Sequence, residues 1–324
     1  MAGETPDPGE LIEVVAGIVR DERGRVLLAE RPEGKHLAGT WEFPGGKREP
    51  GETGPQALAR EMTEELAITV ASARPWLALT HEYPELTVRL QLYAVDEWSG
   101  EPVGQEGQSL QWVTESDMAA LPMPAADRPI VRAFTLDPYY AITPDSDALG
   151  APDGVLRWAE GCLERGIRFF QLQALSLDPA DRVDLAREFG RLMSDSGARW
   201  LLCGEPELAL QSGADGVQLA GERLREFSGR PLGGDFLVAA SCRNAAELAR
   251  AGALALDFVT LSPDSADGGL PRARSLDWEA FARLCRRAPL PVYALGGVVP
   301  ADLEHARDRG GFGVAGTPGF GALP

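Results

Sequence analysis

Cysteine is scarce and scattered in this sequence. There are four, Cys162, Cys203, Cys242 and Cys285. No CxxC pair occurs among them, so their spacing offers no zinc site. Each sits in or beside an apolar run and reads as a reduced core thiol of a cytosolic protein. Positive charge is short as well: 31 Lys and Arg stand against 49 Asp and Glu, a formal net charge of −18. Such a surface repels nucleic-acid polymers and anionic membranes, and it also repels phosphorylated small molecules. A phosphate site here therefore needs local positive charge or a bound metal ion. No apolar run approaches the roughly 20 residues that span a bilayer. The N-terminal MAGETPDPGE is acidic and Pro-rich, the opposite of a signal peptide. Low-complexity tracts and long linkers are missing too. These absences point to an acidic cytoplasmic protein that binds neither nucleic-acid polymer nor membrane.

What the sequence does contain divides into two grammars. Its 324 residues, 44% hydrophobic, are enough for two ordinary domains. The first half reads as strands around one strong helix. LIEVVAGIVR and RVLLAE are β-rich runs joined by a hairpin-like turn at DERG, and LTVRLQLYAVDEW alternates as a half-buried strand does. LQWVTESDMAAL reads as a short strand followed by a capped helix, and a further short helix begins near Asp127 or Pro129. From Tyr139 the rhythm changes to strand–helix alternation, with candidate strands YYAIT, FFQLQAL, WLLC, GVQL, FLVAASC, FVTLS, VYALGG and FGVAG. That pattern argues for a closed (β/α)8 TIM barrel, with a doubly wound open sheet as the competing fold. The expected domains are residues 1–134 and 135–324.

The most informative stretch is GGKREPGETGPQALAREMTEELAI, residues 45–68. Glu61, Glu64 and Glu65 are spaced i, i+3, i+4 and share one helical face. Like charges at that spacing destabilise a bare helix. On charge alone a solvated acidic face is the simpler reading; the alternative is a cage for a hard divalent cation, which prefers carboxylate oxygens.

The surrounding residues favour the cage. The stretch resembles the Nudix box, GX5EX7REUXEEXGU with U aliphatic, through Gly46, Glu52, Arg60, Glu61, Met62, Glu64, Glu65 and Ile68. Ala67 departs from it where the box has glycine, at a helix end where a left-handed backbone is common. WEFPGGK before the box, GQEGQ after it and MPAADRPIV later are similar to the MutT branch, over residues 11 to 134. The resemblance implies an α/β/α sandwich with a mixed sheet. It also implies hydrolysis of a nucleoside triphosphate, such as 8-oxo-dGTP, to monophosphate and pyrophosphate. It implies Mg²⁺, with Mn²⁺ as substitute, held by Glu61, Glu64, Glu65, Glu106 and the Gly45 carbonyl. Glu61 would position or deprotonate the attacking water, and Glu52 and Arg60 would pair to hold the loop in shape. Arg31 and Lys47 would meet phosphate oxygens; ordinary surface charge is their other reading. Asp127 stands where MutT enzymes carry an asparagine that reads the base. An ionised aspartate accepts but cannot donate unless protonated. Its other reading is a helix N-cap before Pro129.

The second half resembles thiamine phosphate synthase and its thiazole tautomerase relatives, through the order of YYAIT, FFQLQAL, LALQSGADGVQLAGERL, VAASC, VYALGGV and GVAG. The charges that resemblance requires are not there. The synthase's QLRxK reads QLQAL, so Gln173 and Leu175 stand for Arg and Lys while Gln171 remains. Its ND reads Cys203–Gly204, its later metal-binding aspartate falls at Arg223, and its sixth-loop lysine is missing from SPDSADGGLPRARS. Gly296, Gly297 and Gly316 remain where barrels cradle a phosphate with backbone N–H groups, or serve as turn glycines. The expectation is a barrel inactive as a synthase. Two alternatives stand beside it: the barrel senses a phosphorylated ligand and regulates the hydrolase, or the hydrolase acts on a thiamine-pathway pyrophosphate.

Overall fold

The computed structural model describes residues 11–35, 37–144, 152–263, 276–317 and 319–320. The chain divides into two compact units, Met1–Thr135 and Leu136–Pro324. None of the described helices is long and apolar enough to cross a membrane.

The first unit is built on two small sheets. Strands β1 (Leu11–Ile18), β4 (Gly45–Lys47), β5 (Thr69–Glu82) and β6 (Thr87–Ser99) form a sheet in the order β4-β1-β6-β5. It is mixed: β1 runs parallel to β6, while β4 and β5 pair antiparallel to their neighbours. Strands β2 (Val26–Glu30), β3 (Trp41–Glu42) and β7 (Leu110–Val113) form the second sheet, in the order β3-β2-β7. The DERG turn exists, closed by the Asp21 N–H to the Arg25 carbonyl at 3.0 Å. The strands it joins are nevertheless not a hairpin within one sheet; beyond the Arg20–Val26 bridge they separate. Both edges of β1 are taken, by β4 and β6, so β2 has no edge to occupy there and pairs elsewhere.

Helix α1 (Gly54–Leu66) lies against the mixed sheet. A capping box fixes its start: Thr53 and Gln56 exchange side-chain and backbone bonds, with Pro55 in the first turn. Its apolar face, Ala57, Leu58, Met62 and Leu66, is buried with Val15, Val19, Leu27 and Tyr93. Gly17 permits that closeness, since a Cβ there would lie 3.2 Å from the Met62 sulfur. Short helices α2 (Glu115–Met118), capped by Thr114, and α3 (Arg128–Ala133) follow β7.

In the second unit eight parallel strands close in the order β10-β11-β12-β13-β14-β15-β8-β9. They are β8 (Tyr139–Ile142), β9 (Phe169–Leu172), β10 (Arg199–Cys203), β11 (Gly216–Ala220), β12 (Leu237–Cys242), β13 (Phe258–Leu261), β14 (Val292–Leu295) and β15 (Gly313–Gly316). Closure decides for the barrel over the open sheet. Aromatics fill the interior: the Tyr140 ring lies 4.6 Å from Phe169 and 5.3 Å from Phe258, and Phe258 lies 5.0 Å from Tyr293. A polar layer adjoins them, in which Gln218 accepts from the Tyr140 hydroxyl at 3.3 Å and donates to Ser241 at 3.0 Å. All four cysteines are free thiols; Cys203 alone is half-exposed.

Candidate active site

Glu61 and Glu65 border the apolar stripe of α1 on the side packed against β4, partly buried, and Glu64 stands exposed beside them. Arg60 sits among them and offsets their repulsion. Its guanidinium donates to Glu52 at 2.8 and 3.0 Å, to Glu61 at 2.8 Å, to Glu64 at 3.1 Å and to the Lys47 carbonyl at 3.0 Å. One cation thus ties the loop before α1, the helix and β4 together. The same contacts hold the Glu52 carboxyl down at about 2, Arg60 being the main cause. Glu52 is therefore a permanently ionised anchor.

Glu65 is the deeper acid. Burial pushes its pKa up to about 7, and Glu61, Glu106 and Glu42 add to the rise, while the Gly45 N–H opposes it with a bond of 3.1 Å. The glycines before the helix are sterically required. A Cβ on Gly46 would lie 2.4 Å from the Glu61 carboxyl, and one on Gly45, at φ +152°, would lie 2.1 Å from the Val15 carbonyl oxygen. At the far end of α1, Ala67 adopts φ 56° and ψ 27°, the left-handed conformation that glycine fits more easily.

Among the described residues no three acidic, histidine or cysteine side chains close on a common point ready to hold an ion. Each acid instead has a partner from the protein. Arg60 engages Glu61 and Glu64, the Gly45 N–H engages Glu65, and Lys35 pairs with Glu106. The donor chemistry still fits a hard dication, because all the side-chain donors are carboxylate oxygens. The mutual repulsion that raises Glu65 is also what such an ion would relieve.

Beyond the acids lies a second cluster. Arg31, expected near phosphate, has its guanidinium on Glu42 of β3. Lys47 is exposed at the end of β4. Asp127 ends the single 3₁₀ turn Ala125–Asp127 and is 7% exposed. It occupies the N-cap position of α3, yet its side chain makes no capping bond. That removes the N-cap reading: the backbone there is already helical, at φ −85° and ψ −17°, so the carboxyl does not fold back onto the first N–H groups. Burial pushes Asp127 up to about 7; Glu42 adds to the rise and Arg31 opposes it. Glu42 is itself raised by burial. Tyr83, in the turn between β5 and β6, bonds the Ala126 backbone through its hydroxyl and feels the Asp127 charge. The sequence reading missed Glu42, Tyr83 and Lys35. Glu42 stands inside the quoted WEFPGGK; for Tyr83 and Lys35 no local pattern marks the role.

The family comparison decides what this arrangement belongs to. Residues 15–133 match the NUDIX domain family, and residues 139–320 match the thiamine monophosphate synthase family. An 8-oxo-dGTP diphosphatase of Haemophilus influenzae is 41% identical over 122 residues, 38% of this chain and 90% of the relative. The chain is a Nudix hydrolase joined to a barrel of the thiamine monophosphate synthase family. A CTP pyrophosphohydrolase of Escherichia coli is 37% identical to the Nudix part, across 39% of this chain and 92% of the relative. The barrel is 34% identical to a putative thiamine-phosphate synthase of Geobacter sulfurreducens, across 54% of this chain and 83% of the relative. Nudix hydrolases work with divalent metal ions, and the acids on α1 of this Nudix hydrolase are the residues that match the box.

At the C-terminal ends of its strands the barrel has a cavity of about 490 Å³. Gln171, Gln173, Leu175, Cys203, Arg243, Gly296, Gly297 and Gly316 are among the residues that line it. Gly296 and Gly297 have φ of +129° and +68°, a turn only glycine enters easily. The Gln171 Oε1 atom is buried without a hydrogen-bond partner. Arg223 is held by Glu205 through two bonds of 2.6 and 3.1 Å, and by Glu226 at 3.1 Å. The loop that lacks the sixth-loop lysine falls, in residues 264–275, outside the described residues.

Proposed function

We propose that the Nudix domain cleaves a nucleoside triphosphate to monophosphate and pyrophosphate with Mg²⁺, and that the barrel is not an active synthase. The observation that carries the reading is the set of acids on α1 apposed to the Gly45–Gly46 strand, with Glu65 partly buried among other carboxylates. Glu61, Glu64 and Glu65 would hold the ion, with Glu106 and the Gly45 carbonyl, and Mn²⁺ would substitute. A bound divalent ion supplies Lewis-acid stabilisation of the phosphoryl oxygens and a more acidic water. The protein's own groups do the positioning. Arg60 and Glu52 fix the loop ahead of α1. Glu61, held by Arg60 and backed by Gly46, is oriented to take a proton from the attacking water. Lys47 is exposed on the strand beside the acids and can meet a phosphate oxygen; Arg31, paired with Glu42, serves the base end. Asp127 is the group that meets the base. The relatives that act on 8-oxo-dGTP and CTP support a nucleotide substrate, with damaged guanine nucleotides as the first class to test.

A second reading concerns the barrel, which we infer can bind a small phosphorylated ligand and regulate the hydrolase. The glycine turn at Gly296–Gly297 supports the phosphate end, and the unpartnered Gln171 oxygen, an acceptor, supports a donor group elsewhere on the ligand. One substrate panel with the full chain tests both readings. Triphosphate hydrolysis releasing pyrophosphate, unchanged by thiamine phosphate, supports the first alone; a profile that shifts with thiamine phosphate supports the second. Activity confined to thiamine-pathway pyrophosphates would overturn the nucleotide assignment.

A further inference from the structure

Lysine is almost missing from this chain. Lys35 and Lys47 are the only two among its 324 residues, and both stand beside the acids of the Nudix site. Lys35 is carried by the loop between β2 and β3. The base of that loop is held by two bonds, from the Arg31 N–H to the Thr40 carbonyl at 2.9 Å and from the Gly39 N–H to the Arg31 carbonyl at 3.0 Å. The Lys35 ammonium pairs with Glu106. Glu106 belongs to a second anchored turn. The Gln105 N–H and the Gln108 side-chain amide both donate to the Glu65 carbonyl, at 2.9 and 3.0 Å, and the Glu106 N–H donates to the Gln108 side chain at 2.8 Å. The turn is thereby fastened to the end of α1, and the Glu106 charge is felt by Glu65. Two separately anchored segments thus bring one ammonium and one carboxylate together at the edge of the acid cluster.

Resting on the reading of Glu106 as a metal ligand and of a nucleoside triphosphate as substrate, we propose that Lys35 is an exchangeable cation of this active site. It neutralises Glu106 until a divalent ion takes that carboxylate, and its ammonium then binds the phosphate chain of the substrate. The pair separates easily. Both side chains are about half exposed, at 49% and 47%, and ion pairs so exposed are weak. A lysine ammonium is a compact charge on a flexible stem and can turn from one oxygen to another, whereas an arginine fork grips a carboxylate with two bonds. Arg60 behaves in the opposite way: less exposed, and bonded at once to Glu52, Glu61 and Glu64, it stays with the fold. Arg31 is engaged by Glu42. Once Glu106 turns to a metal ion, the Lys35 ammonium loses its carboxylate at the place where the phosphates arrive. A chain with a net charge of −18 needs positive charge at that place.

The test reads metal and nucleotide separately in the full chain. Free Mn²⁺ is followed by electron paramagnetic resonance as the protein is titrated without nucleotide, and kcat and KM for dGTP are measured in saturating Mg²⁺. Lys35→Ala removes the rival for Glu106, so Mn²⁺ should bind about twofold to fivefold more tightly. The same variant loses a charged phosphate contact, so KM for dGTP should rise about tenfold, with kcat within about threefold of wild type. One substitution therefore moves the two affinities in opposite directions. Lys35→Arg should reverse the first effect, because its fork holds Glu106 and Mn²⁺ binds more weakly than to wild type. In a Glu106→Gln background the gain in Mn²⁺ affinity from Lys35→Ala should vanish while the rise in KM remains. A gain of equal size in that background is a general charge effect and overturns the exchange. An unchanged KM in Lys35→Ala, with wild type hydrolysing dGTP, overturns it too and leaves nucleotide hydrolysis standing. Wild-type protein that binds Mn²⁺ but hydrolyses no nucleoside triphosphate overturns the substrate reading, and the proposal with it.

Discussion

The acids of α1 and the mouth of the barrel both lie where the chain matches a known family, and they keep the charges that the resemblance calls for to opposite degrees. On α1 the charges are all present, each with a partner close by in the fold: Arg60 for Glu61 and Glu64, the Gly45 N–H for Glu65. In the barrel mouth Gln173 and Leu175 line the cavity where the family resemblance calls for cations, and Arg223 is bound to Glu205 and Glu226 where it calls for an acid. The barrel keeps its shape all the same. Its cohesion comes from the aromatic interior around Tyr140, Phe169, Phe258 and Tyr293, not from the residues at the mouth. On α1 the acids and the fold are coupled, because Arg60 joins loop, helix and strand. Charges at the barrel mouth can be exchanged at little folding cost; those bonded to Arg60, on Glu52, Glu61 and Glu64, cannot.

The largest test of this contrast is a synthase assay with the full chain, which should form no thiamine phosphate above background. Each lost charge-assisted contact is worth roughly 1.5–3 kcal/mol. Two such losses slow a reaction by about a hundredfold to ten-thousandfold, since about 1.4 kcal/mol is tenfold. Robust product formation would break the comparison at its barrel side. Next in size is Glu65→Gln, expected to fold normally and to lose about a hundredfold or more of nucleotide hydrolysis in Mg²⁺, by analogy with removal of one preorganised electrostatic group. Near-normal turnover would remove Glu65 from the site.

Asp127 sharpens the comparison through stability. Its carboxyl is raised from 3.8 to about 7 in the fold. Between those values the folded state holds more proton than the unfolded one, so stability falls as pH rises through that window. Asp127→Asn should cancel the fall and gain up to about 4 kcal/mol at neutral pH relative to wild type, at about 1.36 kcal/mol per unit. Urea unfolding of the Nudix unit across pH 4 to about 8 reads it directly; parallel curves for the two proteins would contradict it. The smallest effect belongs to Ala67→Gly. It relieves a left-handed alanine and should add about 0.5–1 kcal/mol with hydrolysis unchanged, checked by thermal melting.

Much of this was legible in the sequence because it is local. The Nudix box is contiguous, so the acid spacing on α1 and its end at Ala67 follow from short-range spacing. The eight barrel strands were legible for a similar reason, each strand–helix unit announcing itself. What escaped depends on residues far apart in the chain. The separation of β1 from β2 turns on which edges β4 and β6 already occupy. The clustering of Glu42, Tyr83 and Asp127 comes from three elements with no shared motif, and the N-cap alternative for Asp127 fails on a backbone angle that composition does not encode. Arg223 read as a lost ligand; that it is clasped by Glu205 is a tertiary fact.

Arg60 has one more consequence. It acts as a counterion that cannot diffuse away, so part of the repulsion in the acid cluster is offset before any metal arrives. The polypeptide can then be synthesised and folded in a compartment momentarily poor in free metal. In exchange, an incoming ion must compete with a tethered rival at effectively high local concentration. Under the proposed chemistry such competition favours loose, rapidly exchanging occupancy, suited to an abundant cellular ion and ill suited to scavenging a trace one.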